Sequence, residues 1–152
     1  MSSINESTEA VASSPGALGE RLIALIDLLH NRIRPSYHTT RLTAARMSAL
    51  RIIIESDGTT GGQIAQAEQV TQATITRILD GLSENGFIVR EGSRQDRRIV
   101  DVRATEAGRA AFREAVESQI ERLADDLATL SAEDRAEISD ALRHLERVFQ
   151  SG

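Results

Sequence analysis

Apolar residues recur at helical spacing along most of the chain and at strand spacing over one short part of it. Leu18, Leu22, Leu25, Ile26, Leu29 and Ile33 form a stripe that predicts a helix over 18–34. Pro35 closes or bends that helix, because its ring removes a donor and restricts the residue before it. Thr43 then reads as the cap of a second helix with Met47, Leu50, Ile53 and Ile54 inward, ended by Ser56, Asp57 and Gly58. A short helical segment, QIAQAEQV from Gln63, precedes a turn and a polar-faced helix over 72–85. Thr71 is placed to cap that helix by accepting the N–H of Ala73 or Thr74. Ile75, Ile78, Leu79 and Leu82 fall on its one apolar stripe. Two β-prone runs follow, Phe87, Ile88 and Val89 and then Ile99, Val100 and Val102, with Gly92 and Ser93 permitting a turn between them. Thr105 reads as the cap of a long helix to about Thr129, with Ala111, Ala115, Ile120, Leu123, Leu127 and Leu130 along its apolar surface. Ser131 and Asp134 form a capping box with Asp at its third position, and a last helix runs from Ala132 to about Phe149. Its buried side is expected to carry Ile138, Leu142, Leu145 and Val148.

Two short helices joined by a tight turn and followed by a hairpin predict a winged helix-turn-helix. The fold class is therefore mainly α with a small β-hairpin wing and terminal dimerisation helices. A flexible N-terminal arm covers 1–17, the first dimerisation helix and its connection 18–42, the winged helix-turn-helix 43–104, and the C-terminal dimerisation helices 105–150. The second helix supports the back of the motif, and Gly61 with Gly62 reads as a flexible lead-in to it. The terminal helices hold more apolar stripe than a compact winged domain needs, which predicts a two-fold homodimer. A monomer with those helices folded back over the winged domain is the alternative.

Composition sharpens this picture. At 152 residues, 40% hydrophobic and 3% aromatic, the chain suits one domain with a core of Leu, Ile, Val and Ala. It has no cysteine, which excludes a thiol redox sensor, a disulfide framework and a thiolate metal site. All 18 basic residues are arginine. The net charge of -5 is unevenly spread: residues 1–20 carry -3, residues 21–103 carry 12 arginines against 9 acids, and residues 104–152 carry 6 against 11. An acidic total thus leaves room for a local cationic face. The first 17 residues lack the basic start and apolar stretch of a secretory signal, and no apolar run is long enough for a membrane helix, so a cytoplasmic protein is expected.

Gln72, Thr74, Thr76 and Arg77 lie off the apolar stripe of the 72–85 helix. Short polar groups near a helix start, with an arginine one turn in, suit base edges and phosphates in a major groove; they equally suit plain solvation. Between the β-prone runs lie Arg94, Arg97 and Arg98, with Asp96 among them. From Arg90 to Arg103 five arginines face Glu91, Asp96 and Asp101, a net +2. Guanidinium groups on a hairpin tip can meet phosphates or reach a minor groove while the helix occupies the major one. Asp96 can hold Arg98 in a bidentate pair. A catalytic reading has little support: His30, His38 and His144 are scattered, no HExxH motif is present, and no GK[ST] follows Gly58, Gly61 and Gly62. No metal or cofactor is expected.

Two segments, TQATITRILDGLSENGFIVRE at 71–91 and DRRIVDVRATEAG at 96–108, resemble the MarR family of bacterial winged helix-turn-helix regulators. The resemblance implies DNA contacts from Gln72, Ala73, Thr74, Thr76 and Arg77 on the recognition helix. In the wing it implies that Asp96 orients Arg98, that Arg97 touches DNA, and that Arg94 lies nearer the variable start of the tip. Three positions depart from the family pattern: Glu68 stands where an apolar residue is usual, Gln69 replaces a common glycine in the turn, and Ala104 replaces leucine before Thr105. The resemblance further implies a dimeric repressor on a pseudo-palindromic operator in double-stranded DNA, relieved by a small phenolic or organic-acid effector. His30, Arg34, Tyr37 and His38 are candidates to line the effector pocket; singly, each also fits a structural or solvated role. A constitutive activator, an architectural DNA binder, and a protein-interaction module on a winged fold are the alternatives.

Overall fold

The computed structural model describes residues 14–33, 41–56, 58–92 and 100–150. In chain order the described elements are α1 (Pro15–Ile33), α2 (Ala44–Glu55), β1 (Thr59–Thr60), α3 (Gly61–Ala67), α4 (Gln72–Glu84), β2 (Ile88–Gly92), β3 (Val100–Ala104), α5 (Glu106–Leu127) and α6 (Ala132–Gln150).

Most boundaries follow from side chains that satisfy the free N–H groups of a helix start. The hydroxyls of Thr43, Thr71 and Thr105 accept from the backbone N–H of Arg46, Thr74 and Gly108. Ser131 and Asp134 cap α6 reciprocally: Ser131 Oγ accepts from Asp134 N at 3.0 Å, and Asp134 Oδ2 accepts from Ser131 N at 3.3 Å. Two starts differ from the sequence expectation. Helix α1 begins at Pro15, inside the stretch read as a flexible arm, because Ser14 Oγ accepts from Ala17 N and proline suits the first helical position. Gly61 and Gly62 are not a flexible lead-in but the first turn of α3, fixed by a capping box in which Thr60 and Gln63 bond reciprocally.

The α3–α4 turn is a Schellman motif: Val70 N donates to Ala65 O at 3.0 Å, and Gln69 N to Gln66 O at 3.2 Å. Gln69 takes the left-handed residue's place at φ 53°. Glu68, where an apolar residue is usual, is half-buried and accepts a hydrogen bond from Ser48 Oγ at 2.7 Å. The substitution therefore ties α3 to α2 by a polar contact rather than turning the carboxylate out to solvent.

The wing belongs to a three-stranded antiparallel sheet of order β1-β3-β2. Register runs from Ile88↔Ala104 to Gly92↔Val100, while β1 adds Thr59↔Val102 on the other edge of β3. The sequence pattern missed β1, since two residues show no alternation.

Leu42, Ala49, Leu50, Ile53, Ile64, Ile75, Leu82 and Ala115 are fully buried, and Leu79, Ile88 and Val102 nearly so. These side chains come from α2, α3, α4, the wing strands and the first half of α5, so the winged domain has its own core. Burying one Leu or Ile contributes roughly 1.5–3 kcal/mol. The terminal helices differ: neither α1 nor α6 has a buried residue. Ile138, Leu142 and Val148, expected inward, are 38%, 52% and 65% exposed in the single chain. Nothing among the described residues covers that stripe, and they do not show the alternative in which the terminal helices fold back over the winged domain. One bidentate pair, Arg32 Nε to Asp126 Oδ2 at 2.5 Å and Arg32 Nη2 to Asp126 Oδ1 at 2.7 Å, ties the end of α1 to the end of α5. It lowers the Asp126 pKa, chiefly through the hydrogen bond from Arg32.

Candidate nucleic-acid interface

Helix α4 presents two unlike faces. Ile75, Leu79 and Leu82 pack into the core, whereas Gln72, Ala73, Thr74, Thr76 and Arg77 are all exposed. The exposed hydroxyls are held in place. Thr74 Oγ1 lies 2.9 Å from Thr71 Oγ1, and Thr76 Oγ1 donates to Gln72 O at 2.8 Å. The cap at Thr71 and the Schellman turn before it set where α4 starts, so the five side chains leave its first turn and a half from a fixed base.

The wing stands beside this face. Arg90 on β2 reaches back to α4, with Nη2 donating to Asp80 Oδ1 at 2.7 Å. Its partner strand β3 leads into Thr105, which does three things at once. Thr105 N donates to Phe87 O at 3.0 Å, its Oγ1 donates to Gly86 O at 2.7 Å, and the same oxygen accepts from Gly108 N. The end of α4, the base of the wing and the start of α5 are thereby locked together. Arg94, Asp96, Arg97 and Arg98 lie outside the described residues.

Between α4, the start of α3 and the wing runs an open groove of about 520 Å³, lined by Thr60, Gly61, Gln72, Thr76, Leu79 and Arg90, with Val100 and Val102 beyond. A second, smaller cavity of about 280 Å³ lies between α2 and α5. Met47, Phe112 and Val116 give it apolar walls, and Ser48, Arg51 and Gln119 give it polar ones. Gln119 Nε2 donates to Met47 Sδ at 3.3 Å across it. His30 is exposed on α1 and is not among the lining residues; Arg34, Tyr37 and His38 lie outside the described residues. Sequence reasoning missed both cavities, because each joins positions far apart in the chain. Among the described residues no cluster of three or more His, Asp or Glu side chains could hold a metal ion.

A recognition helix braced against a three-helix core and flanked by a hairpin defines a winged helix-turn-helix DNA-binding protein. The MarR family model matches residues 42–100, the span from the loop before α2 to the first residue of β3. The transcriptional repressor YetL of Bacillus subtilis is 24% identical over 137 residues, covering 87% of this chain and 82% of its own length. Two solved structures share the fold. A MepR variant from S. aureus bound to an oligodeoxyribonucleotide matches at TM-score 0.68 and 20% identity, over 86% of this chain and 96% of its own. The RV2887 protein of Mycobacterium tuberculosis, in complex with p-aminosalicylic acid, matches at TM-score 0.65 and 24% identity, over 84% and 97%. Residues 42–100 are thus similar to the MarR family, and the fold with its exposed recognition helix is that of a sequence-specific DNA-binding transcriptional regulator.

Proposed function

We propose that the protein is a homodimeric repressor that holds a pseudo-palindromic operator and releases it on binding a small phenolic or organic acid in the cytoplasm. The observation that carries the DNA-reading half is the fixed, exposed row Gln72, Ala73, Thr74, Thr76 and Arg77 on a helix whose opposite side is fully buried. Those five side chains enter the major groove, while Arg94, Arg97 and Arg98, with Arg98 steadied by Asp96, meet the backbone or the minor groove beside it. Among the described residues no helix is long and apolar enough to cross a membrane.

Dimerisation is supported by the bare apolar faces at the two ends of the chain. Ile23, Ile26 and Leu28 on α1, Ile120 on α5, and Leu142, Val148 and Phe149 on α6 are each more than half exposed. Exposed apolar faces of that kind mark an interaction surface. We assign 18–42 and 105–150 to the dimer, 43–104 to DNA, and 1–17 to a lead segment whose last residues join α1. Two copies related by a two-fold axis place two recognition helices one helical turn of DNA apart, which is what a pseudo-palindrome requires.

For the effector, the α2–α5 cavity supplies what a small aromatic acid needs: apolar walls, Arg51 for a carboxylate, and Ser48 and Gln119 for a hydroxyl. It sits where the winged domain meets the helices assigned to the dimer, so a ligand there favours one relative placement of the two over another. His30, Arg34, Tyr37 and His38 remain sequence candidates for the effector, but His30 is exposed on α1 and does not line this cavity. That a MarR protein has been solved with p-aminosalicylic acid supports this ligand class.

The test is binding of the purified protein to its own upstream DNA at several salt concentrations against excess unrelated duplex, with and without p-aminosalicylic acid. Selective, salt-sensitive binding is expected, weakened by the acid. Failure to select any site from a genome-derived library would overturn the DNA reading. Selection unaffected by any small acid would overturn the effector alone. A purely monomeric mass at micromolar concentration would overturn the dimer.

A further inference from the structure

Arg46, in the first turn of α2, meets both the segment that enters the winged domain and the back of the recognition helix. Its backbone N–H donates to the Thr43 hydroxyl at 3.3 Å, and its Nη1 donates to Arg41 O at 3.4 Å. The entry segment has an imposed shape. Arg41 is held in a left-handed conformation at φ 58°, uncommon for a residue with a Cβ, and Leu42 beside it is fully buried. A strained residue next to an anchored one persists only where its surroundings over-determine it.

The guanidinium of the same side chain lies across Gly81, in the second half of α4. A Cβ on Gly81 would stand 2.5 Å from Arg46 Cζ and 2.6 Å from Nε, closer than such atoms can approach, so the planar group occupies the space a side chain would take. Gly81 is buried, and its carbonyl accepts from Asn85 Nδ2 at 2.6 Å. Glycine is the weakest helix former after proline, yet it stands within the helix that carries the exposed polar row. The missing side chain at position 81 is what lets a residue of α2 grip α4 from its buried side.

We propose that Arg46 is a positioning residue for the recognition helix: it fixes the tilt of α4 relative to the entry segment at Arg41, and Gly81 is the notch that receives it. The proposal rests on the DNA-binding reading and adds to it a residue that acts from the far side of the helix. A helix held at one tilt meets base edges in one register, whereas attraction to phosphates tolerates a looser helix. Loss of the bridge therefore lowers the choice between sequences more than it lowers affinity for DNA at large.

The experiment uses the full-length protein as wild type, Arg46→Met, Gly81→Ala, the double variant of those two, and the distant control Arg143→Gln. Each is titrated at fixed salt with a duplex from the protein's own upstream DNA and with an unrelated duplex of equal length. The readout is the dissociation constant for the unrelated duplex divided by that for the upstream one. A fraction of unfolded protein, or a changed net charge, acts on both duplexes alike and cancels in this ratio, so a merely structural role leaves it unmoved. Arg46→Met and Gly81→Ala should each lower the ratio by about fivefold, the low end of what coupling between two positions carries. Gly81→Ala does so with every charge retained. The double variant should be no worse than either single one, since both substitutions remove the same contact, and Arg143→Gln should match wild type. An unchanged ratio in either single variant, or losses that add in the double variant, overturns the proposal and leaves the DNA-binding reading intact. If wild type prefers neither duplex, the reading of that upstream site fails and hydrogen exchange decides the bridge by itself. Amide exchange over Gln72–Glu84 should quicken in Arg46→Met and in Gly81→Ala, and unchanged exchange there overturns the proposal.

Discussion

Replacing Gly108 by alanine sets two physical effects against each other with opposite signs. Gly108 is the third residue of α5 and is buried. Helix propensity alone favours alanine there by about 1 kcal/mol. Sterics oppose it. A Cβ at this position would run into the Phe87 carbonyl oxygen, with the carbonyl carbon at 2.9 Å and Cα at 3.1 Å. The obstacle is backbone at the base of the wing, and it has no rotamer by which to move aside. To relieve the overlap, the start of α5 and the end of α4 must part by about 1 Å in a region packed at crystal-like density. That movement strains the hydrogen bonds from Thr105 to Phe87 O and Gly86 O, now 3.0 and 2.7 Å long. Overpacking costs about 1–3 kcal/mol and each weakened hydrogen bond about 1 kcal/mol, so the net loss after the propensity gain is about 2–4 kcal/mol. Urea unfolding followed by circular dichroism, at fixed protein concentration, measures it. An alanine variant as stable as wild type, or more stable, would refute the steric argument and with it the assigned rigidity of the joint. Gly81 is the internal control: its Cβ would meet the guanidinium of Arg46, a flexible tip that can swing away, so Gly81→Ala should stay within about 1 kcal/mol of wild type.

Three further predictions follow from contacts elsewhere. Gln69→Gly should stabilise the protein by about 1 kcal/mol, because a left-handed conformation at φ 53° is unfavourable for a residue with a Cβ; a neutral or negative change in urea midpoint would count against it. Ser48→Ala should destabilise by about 1–3 kcal/mol by leaving the half-buried Glu68 carboxylate without its donor, and Glu68→Leu in the same background should recover most of the loss. Additive effects in that double-mutant cycle would show that the two side chains do not interact. The Arg32–Asp126 pair depresses a carboxylate pKa, so its contribution is present above the ordinary value of 3.8 and is lost as pH falls through the lower folded-state value. Wild type and Asp126→Asn should therefore differ by a constant amount in melting temperature from pH 5 to pH 8 and converge only in acid; a difference that changes within the neutral range would point to another group.

What could be read from the chain beforehand divides by distance. Helix α4 was legible because its determinants are local: the Thr71 cap, the Ile75–Leu79–Leu82 stripe and the Asn85 stop all sit within one segment. The cap of α3 was equally local, yet Gly61 and Gly62 read as breakers and hid the Thr60–Gln63 box around them. In α6 the sequence marks which face is apolar, but nothing among the described residues covers that face, so a stripe expected inward proved exposed. Contacts between distant residues were not legible at all. Nothing near Glu68 points to Ser48, 20 residues earlier, and nothing near Arg90 marks Asp80, which a change from helix to strand brings alongside it. Both cavities share that origin, each enclosed by elements the chain visits at separate times.

The joint at Thr105 also fixes how motion is scaled. Helix α5 leaves it as a rod of 22 residues, about 33 Å long at 1.5 Å per residue. A tilt of about 10° at the joint then swings the far end by roughly 6 Å, more than one helical turn's rise. In the dimer proposed above, that far end is gripped by the partner and the near end carries the reading head. The gearing runs in reverse as well: a displacement of several ångströms among the terminal helices reaches the DNA side mainly as a small rotation. If that dimer forms, a modest rearrangement of its apolar interface would turn the reading head relative to successive major grooves. The lock at Thr105 turns the looser end of the molecule into a vernier for the tighter one.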